Sequence, residues 1–381
     1  MNEWHTIRLG DVSITNRCLY SKNDNWEFVN YLDTGNITQN RINSIQTIDL
    51  SKEKLPSRAK RKVQHNDILF STVRPNQLHY GIVKEQPVNF LVSTGFAVIS
   101  IMPEKVDADY LYFYLTQNSV VESLHAIAEQ STSAYPSIKP SDIEKLELQL
   151  PSLETQQKIA AVLMSMEQKI VLNNNINENL EQQMRAIYLD KCQNSNWSLG
   201  TLDDILEFYD YLRKPLSSKQ REHMDKIYPY YGATSIVDYI DNYIFDGVFI
   251  LISEDGANVV DEQGYPLVQY TYGKFWLNNH AHIVKGKEDI SEALVYTLVR
   301  TTNLRSIVTG AAQPKINQAN LRQFKINLPD KSSIQKLNTI LEPMLAMIIA
   351  NDIENSKLAS MRDSLLPKLM SGEIDVSSVT L

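Results

Sequence analysis

Between Ser51 and Lys62 the chain carries six cations, Lys52, Lys54, Arg58, Lys60, Arg61 and Lys62, against a single carboxylate, Glu53. Cations at that density beside a polyanion neutralise phosphates and add salt-dependent affinity without reading sequence; the competing reading is a solvated loop. Shortly after comes Arg74-Pro75-Asn76-Gln77-Leu78-His79-Tyr80. An arginine fork matches guanine O6 and N7, and an asparagine or glutamine amide matches adenine N6 and N7. Aligning Ser71 with Ser253 sets Asn76 opposite Asn258 in Glu254-Asp255-Gly256-Ala257-Asn258, a second loop without the arginine. Either the two loops face different targets, or their asparagines only cap turns. Weaker candidates are Ser131-Thr132-Ser133-Ala134-Tyr135, the segment Thr309 to Lys315 with Gln313 and Lys315, and Lys274 beside Tyr270 and Tyr272. Hydroxyls, amides and lysines suit phosphates, whereas an aromatic strand reads first as core.

Catalytic chemistry has no local signature. The sequence lacks a glycine-rich phosphate loop, an Asn-Pro-Pro-Tyr or Asp-Pro-Pro-Tyr adenine-methylation motif, a cofactor fingerprint and a nuclease-like cluster of carboxylates with lysine. His280-Ala281-His282 would place two imidazoles on one face of a strand. A metal needs more ligands and none is suggested, so structural histidines or a DNA contact are the favoured reading. The expectation is a non-catalytic chain with no catalytic residue and no metal.

The elements that must position these residues are written twice. A shift of 178 residues carries Pro136 and Ile138 onto Pro314 and Ile316, Leu150-Pro151 onto Leu328-Pro329, and Gln157-Lys158 onto Gln335-Lys336. That period is far beyond the solenoid range of roughly 20 to 50 residues, so it describes a duplicated domain with its helix. Each copy opens on a tryptophan, Trp4 or Trp197. β-Branched and aromatic runs then predict strands, Ile68 to Val73 and Val92 to Ile101 in the first copy, Val248 to Ser253, Leu267 to Leu277 and Ala281 to Val284 in the second. Short helices are expected at Ala108 to Thr116 and Ser291 to Thr301. The fold class is therefore mixed α/β (α+β).

Ser152 and Asp330 stand where the N-cap of a long helix is wanted. Beyond them runs a seam spaced alternately four and three: Ile159, Leu163, Met166, Ile170, Asn173, Asn177, Leu180, Met184 and Ile187 in the first helix. The second repeats it as Leu337, Leu341, Met344, Ile348, Asn351, Asn355, Leu358, Arg362 and Leu365. Such spacing keeps one stripe facing a partner helix. The paired asparagines either fix its register or mark a polar break where each helix bends or meets water. Pro343 should kink the second helix or begin a new segment.

With 381 residues, 43% hydrophobic and 22% charged, the composition is that of a globular protein of two or three domains. A net charge of −8 argues against coating nucleic acid by bulk charge and leaves room for a local basic patch. Cys18 and Cys192 alone give no disulfide or zinc framework, which fits a reducing, cytoplasmic setting. The longest apolar run, Met344 to Ala350, is too short to span a membrane.

Leu150-Pro151-Ser152-Leu153-Glu154-Thr155-Gln156-Gln157-Lys158-Ile159-Ala160 and the ending Leu365-Leu366-Pro367-Lys368-Leu369-Met370-Ser371-Gly372-Glu373-Ile374, set in this duplicated order, resemble the specificity subunit of type I restriction-modification systems over nearly the whole chain. The resemblance implies two target-recognition domains, residues 1–151 and 195–329, and two conserved helical regions, 152–194 and 330–381. The helices would pair as an antiparallel coiled-coil spacer within an internal pseudo-twofold repeat. It implies double-stranded DNA as target, read as two asymmetric halves. Two modification subunits would carry S-adenosylmethionine, and restriction subunits would use ATP and Mg, leaving no cofactor in this chain. The alternatives are an enzyme with divergent motifs, the recognition subunit of a type IIB-like enzyme, or a coiled-coil scaffold that does not bind DNA.

Overall fold

The computed structural model describes residues 4–131, 135–310 and 312–379. Contacts divide the chain into two compact units, Met1–Ile170 with Lys357–Leu381, and Val171–Ser356. Each long helix, Leu153–Gln193 and Lys331–Met370, thus contributes to both units.

The strands of the first copy are β1 (Ser13–Thr15), β2 (Phe28–Leu32), β3 (Gln46–Asp49), β4 (Ala59–Lys62), β5 (Ile68–Ser71), β6 (Tyr80–Ile82), β7 (Phe90–Ser93) and β8 (Phe96–Ile101). Those of the second are β9 (Leu206–Phe208), β10 (Tyr228–Tyr231), β11 (Ile236–Ile240), β12 (Phe245–Asp246), β13 (Phe249–Ser253), β14 (Val268–Thr271), β15 (Lys274–Leu277) and β16 (Ala281–Gly286). The first copy builds two four-stranded sheets in the orders β1-β8-β5-β6 and β3-β2-β7-β4. The second builds β9-β16-β13-β14 and β11-β10-β15-β12, the same orders strand for strand. Even the parallel pairing recurs, β7 on β2 and β15 on β10. In each copy a further antiparallel pair joins the opening strand to the segment before the long helix, His5–Arg8 with Glu147–Leu150 and Ser198–Thr201 with Lys325–Leu328.

The middle strands read as continuous apolar runs because both faces are covered. In β5, Ile68 and Phe70 enter a core shared with the helices, while Leu69 enters a second core with Leu32, Phe90 and Phe96. Along β13, Ile250 and Ile252 face the helices, and Phe249 and Leu251 face Tyr231, Phe245 and Phe275.

Two predicted strands are divided. Val92 to Ile101 breaks at Thr94-Gly95, and Leu267 to Leu277 at Tyr272-Gly273, with the halves in different sheets. The physical reason is local. Gly273 takes φ +65, a conformation glycine adopts without Cβ strain, and a Cβ on Gly95 would lie 2.7 Å from Thr34 Cγ2. A strand propensity that continues through such a point cannot keep the chain in one sheet.

Both helix caps form. Ser152 Oγ accepts from Thr155 N at 3.3 Å, and Asp330 Oδ1 from Ser333 N at 2.7 Å. That backbone bond holds the Asp330 carboxyl below the ordinary range. The helices have 41 and 40 residues, about 60 Å at 1.5 Å per residue, and extend beyond both ends of the seams Ile159 to Ile187 and Leu337 to Leu365. Pro343 begins no new segment: the helix runs through it. Pro343 is exposed, so the carbonyl it leaves without an N–H donor lies on the solvent side, where water replaces the bond. At the far end Gly372 takes φ +74 with the Trp4 indole against it, a close approach that a side chain would obstruct.

All the seam residues from Ile159 to Leu180 and from Leu337 to Leu358 are buried or half-buried. In the unit Val171–Ser356, Asn173 donates to Asn355 Oδ1 at 2.9 Å and Asn351 donates to Asn177 Oδ1 at 2.7 Å. Residue numbers rise along one helix as they fall along the other, so the pairing is antiparallel. In the other unit Arg362 donates to Glu167 at 2.5 Å.

Candidate nucleic-acid interface

The loop after β5 and the loop after β13 occupy the same point of the two copies. Ser71 pairs with Phe96 and Ser253 with Ala281, at the starts of β8 and β16. Next, Val73 bridges Ser137 and Asp255 bridges Lys315. Ile138 N donates to Thr72 O and Ile316 N to Glu254 O, both at 2.9 Å. The repeated Pro-x-Ile therefore exists to pin this loop, and Arg74 coincides with Gly256.

In the first copy the pinned loop sits beside the start of the basic strand. Thr94 N donates to Arg58 O and Thr72 N to Gly95 O, each at 2.8 Å, so the turn between β7 and β8 joins the two segments. Arg58, Arg74, Asn76 and Gln77 are exposed along this edge. Asn76 and Gln77 ride on a short turn, Pro75–Gln77, whose proline is buried. The turn is entered through Arg74 at φ 47 and left through Leu78 at φ 58. Left-handed backbone costs an ordinary residue about 1 kcal/mol.

Other candidates are spent inside the fold. Tyr80 is buried and stacks on Phe70, and burial pushes its phenol up. The His79 Nδ1 lies 2.6 Å from Ile37 O, where it ties a small hairpin, Ile37–Thr38 with Arg41–Ile42, to the loop. Arg61 and Lys62 are half-buried on β4 rather than solvated. Lys62 pairs with Asp24, which it holds below the usual carboxylate range, and lies over the Trp26 ring. Burial presses the Arg61 guanidinium down, and its Nη1 has no hydrogen-bond partner among the described residues. The dense basic run thus divides into exposed and half-buried cations according to what packs against the strand, which composition along the chain cannot show. Lys54 and Lys60 are exposed, and Lys52 pairs with Asp49 at 2.7 Å.

The second copy is different at this edge. Asn258 and Gln313 are exposed. Lys274 is exposed too, 4.5 Å from the Tyr243 ring centroid, and the Tyr243 hydroxyl raises its pKa. Lys315, however, is bound to Glu254 at 3.0 Å, and Glu254 also accepts from Arg213 at 2.6 Å. Tyr270 packs on Tyr296 and donates to Asp352, so it belongs to the core. Thr132, Ser133, Ala134 and Ala311 lie outside the described residues.

His280 and His282 do not share a site. The strand starts at Ala281, leaving His280 at the surface, 2.6 Å from Asp255. His282 is buried, with one ring nitrogen 2.6 Å from Asp210 and the other 2.8 Å from Ile316 O. Asp210, Glu254 and His282 come close enough to hold a cation. The side chains of Arg213 and Lys315 already stand on those carboxylates, so the group is an ion-pair cluster that fastens loop to sheet. Burial raises both carboxyls, but His282 and Arg213 outweigh it and leave them below their usual range. Sequence reading flagged the histidines and missed their partners, which are separated by up to about a hundred residues and carry no shared motif.

A duplicated β-domain, each copy presenting a pinned loop with exposed amides and one copy also exposed Lys54, Arg58 and Lys60, has the make-up of a tandem recognition protein. Residues 1–182 and 194–360 match the family model of the type I restriction modification DNA specificity domain, and the chain belongs to that family. The specificity subunit of the type I restriction enzyme HindI of Haemophilus influenzae is 33% identical over 190 residues, 49% of this chain and 40% of that one. A second type I specificity subunit of the same organism is 34% identical over 146 residues, 38% of this chain and 37% of that one. The matched part therefore spans well under two thirds of either relative. The specificity subunit of the MjaIX enzyme of Methanocaldococcus jannaschii is 25% identical over 336 residues, 79% of this chain and 76% of that one. The crystal structure of a type I S subunit from M. genitalium has a TM-score of 0.56 at 17% identity, covering 97% of this chain and 96% of that one, and shares the fold. Among the described residues no helix is long and apolar enough to cross a membrane.

Proposed function

We propose that this chain is the DNA-reading subunit of a type I restriction-modification complex. The observation that carries the reading is the pairing of a conserved frame with divergent edges. The strand orders of the paired four-stranded sheets agree, while the equivalent loops present Arg74, Asn76 and Gln77 in one copy and Gly256 and Asn258 in the other. Two similar domains with different reading edges suit a double-stranded target of two unlike halves.

In this reading residues 1–151 and 195–329 are the recognition domains, and the helical regions 152–194 and 330–381 act as spacer. The duplicated helices also offer similar docking surfaces to two modification subunits. Those subunits would supply S-adenosylmethionine and methylate adenine N6 after flipping the base. Restriction subunits would supply ATP-driven, Mg-dependent chemistry. The chain itself binds no cofactor and catalyses nothing, and the complex works in the cytoplasm.

The test is to co-express the chain with a modification subunit encoded beside it and map N6-methyladenine by single-molecule sequencing. We expect a two-part motif only when both proteins are present. Exchanging residues 196–329 for the corresponding domain of a relative should then change one half of the motif and leave the other. A change in both halves would sink the modular reading, and methylation by this chain alone would make it an enzyme.

A further inference from the structure

We propose that Arg74 determines specificity at one base pair, reading a guanine in one half of the target. The inference rests on the DNA-reading function above and assigns a residue and a base within it.

Arg74 and Gly256 occupy the same point of the duplicated frame, and both take positive φ, +47 and +138. Glycine adopts either backbone without Cβ strain. The backbone at 74 therefore gains nothing from an arginine. What the arginine adds is its side chain, kept against the local conformational preference, and an observed outlier of this kind is a pointer to function.

The surroundings prepare that side chain for recognition. Arg74 N donates to Pro136 O and its carbonyl accepts from Gln77 N, both at 2.9 Å, and buried Pro75 follows, so the Cα is held from both sides. The guanidinium lies 5.5 Å from the ring centroid of exposed Tyr135. Such a contact orients the guanidinium without an ion pair. Among the described residues no carboxylate pairs with it. Arg213 and Lys315 in the second copy are, by contrast, bound to Glu254. A pre-oriented, uncompensated fork beside exposed Asn76 and Gln77 has the geometry of bidentate contact to guanine O6 and N7.

The experiment uses the full chain assembled with its modification subunit, as wild type, Arg74→Gly and Arg74→Lys, with methylated motifs, methylation rates and Tm measured for each. For Arg74→Gly we expect one guanine in one half of the motif to become degenerate, the ratio of methylation rates between sites with and without that guanine falling on the order of ten- to a hundredfold. The other half should stay intact and Tm should hold or rise. Arg74→Lys should fall between, since an ammonium lacks the rigid planar fork that matches O6 and N7. An unchanged motif and rate for Arg74→Gly overturns the proposal. So does a uniform loss at all sites, the signature of a phosphate contact, or a fall in Tm with both halves lost, the signature of a structural role. A wild-type complex that assembles yet yields no two-part motif overturns this proposal and the function beneath it together.

Discussion

The two copies carry opposite electrostatics on one frame. Where the second copy has His282, Glu254 and Lys315, the equivalent positions of the first are Ala97, Thr72 and Ser137, all uncharged. Where the first copy has the cationic strand β4, with Lys60, Arg61 and Lys62, the equivalent β12 is Phe245-Asp246. The second copy locks its loop with buried ion pairs and consumes its cations in doing so. The first locks the same loop with a hydroxyl, Thr72 Oγ1 donating to Gly95 O at 2.9 Å, and leaves Arg58 and Arg74 exposed. A loop can thus be held by strong pairing or left free to pair with a ligand, and each copy makes a different choice.

The helices repeat the lesson. The 178-residue shift carries Glu167 onto Leu345 and Arg362 onto Met184. One unit therefore holds a half-buried ion pair, with side chains 17% and 18% exposed. The other holds Leu345 and Met184, both buried, at the matching helix positions. Burial presses the Arg362 guanidinium down, yet Glu167 and Asp363 outweigh it and hold it above its ordinary value. Unlike ends on otherwise repeated helices favour one alignment over its reversed or slipped alternatives.

The largest effect expected from breaking this contrast is at Glu254. Glu254→Ala strands Arg213, Lys315 and His282 around a lost charge and should cost about 3 kcal/mol. Thr72→Ala, at the same point of the first copy, removes one neutral hydrogen bond and should cost about 1 kcal/mol. Denaturant unfolding of the two variants measures both, and equal costs would erase the distinction.

At the helices Arg362→Ala should cost about 2 kcal/mol, below the range for fully buried pairs because both partners keep some water. Arg362→Met combined with Glu167→Leu should recover the loss. A double variant no better than the single one would show that the pair is not the interaction being measured.

A smaller displacement is expected with pH. Asp210 and Glu254 are held below their ordinary values, so their contribution is fully present above the usual carboxylate range and is lost as pH falls through the lowered folded values. Hydrogen exchange measured by mass spectrometry during acid titration should therefore open residues 249–286 before residues 68–101. The reverse order would count against the ion-pair lock.

The repeat, both helix caps, the seam and the apolar strands β5, β8, β13 and β16 were legible in the sequence because each depends on neighbours a few residues away. The apolar spacing of Ile159 to Leu180 states a helix and its buried stripe, and Ser152 and Asp330 state where helices begin. The split of Val92 to Ile101 was not legible, since the reason is a close approach of Thr34 from another part of the chain. Nor was the division of the basic run into exposed Lys54, Arg58 and Lys60 and half-buried Arg61 and Lys62. His79 and Tyr80 have the residue types of readers because type alone cannot show that Tyr80 stacks on Phe70 in the core or that His79 is taken up by Ile37 O.

The sequence by itself determined that one domain and its helix occur twice, because duplication survives in the spacing of apolar and capping residues. Only the tertiary structure decided which polar side chains are free. Burial and ion pairing are set by residues distant along the chain, such as Asp210, Glu254 and Lys315, that close packing brings within hydrogen-bond reach.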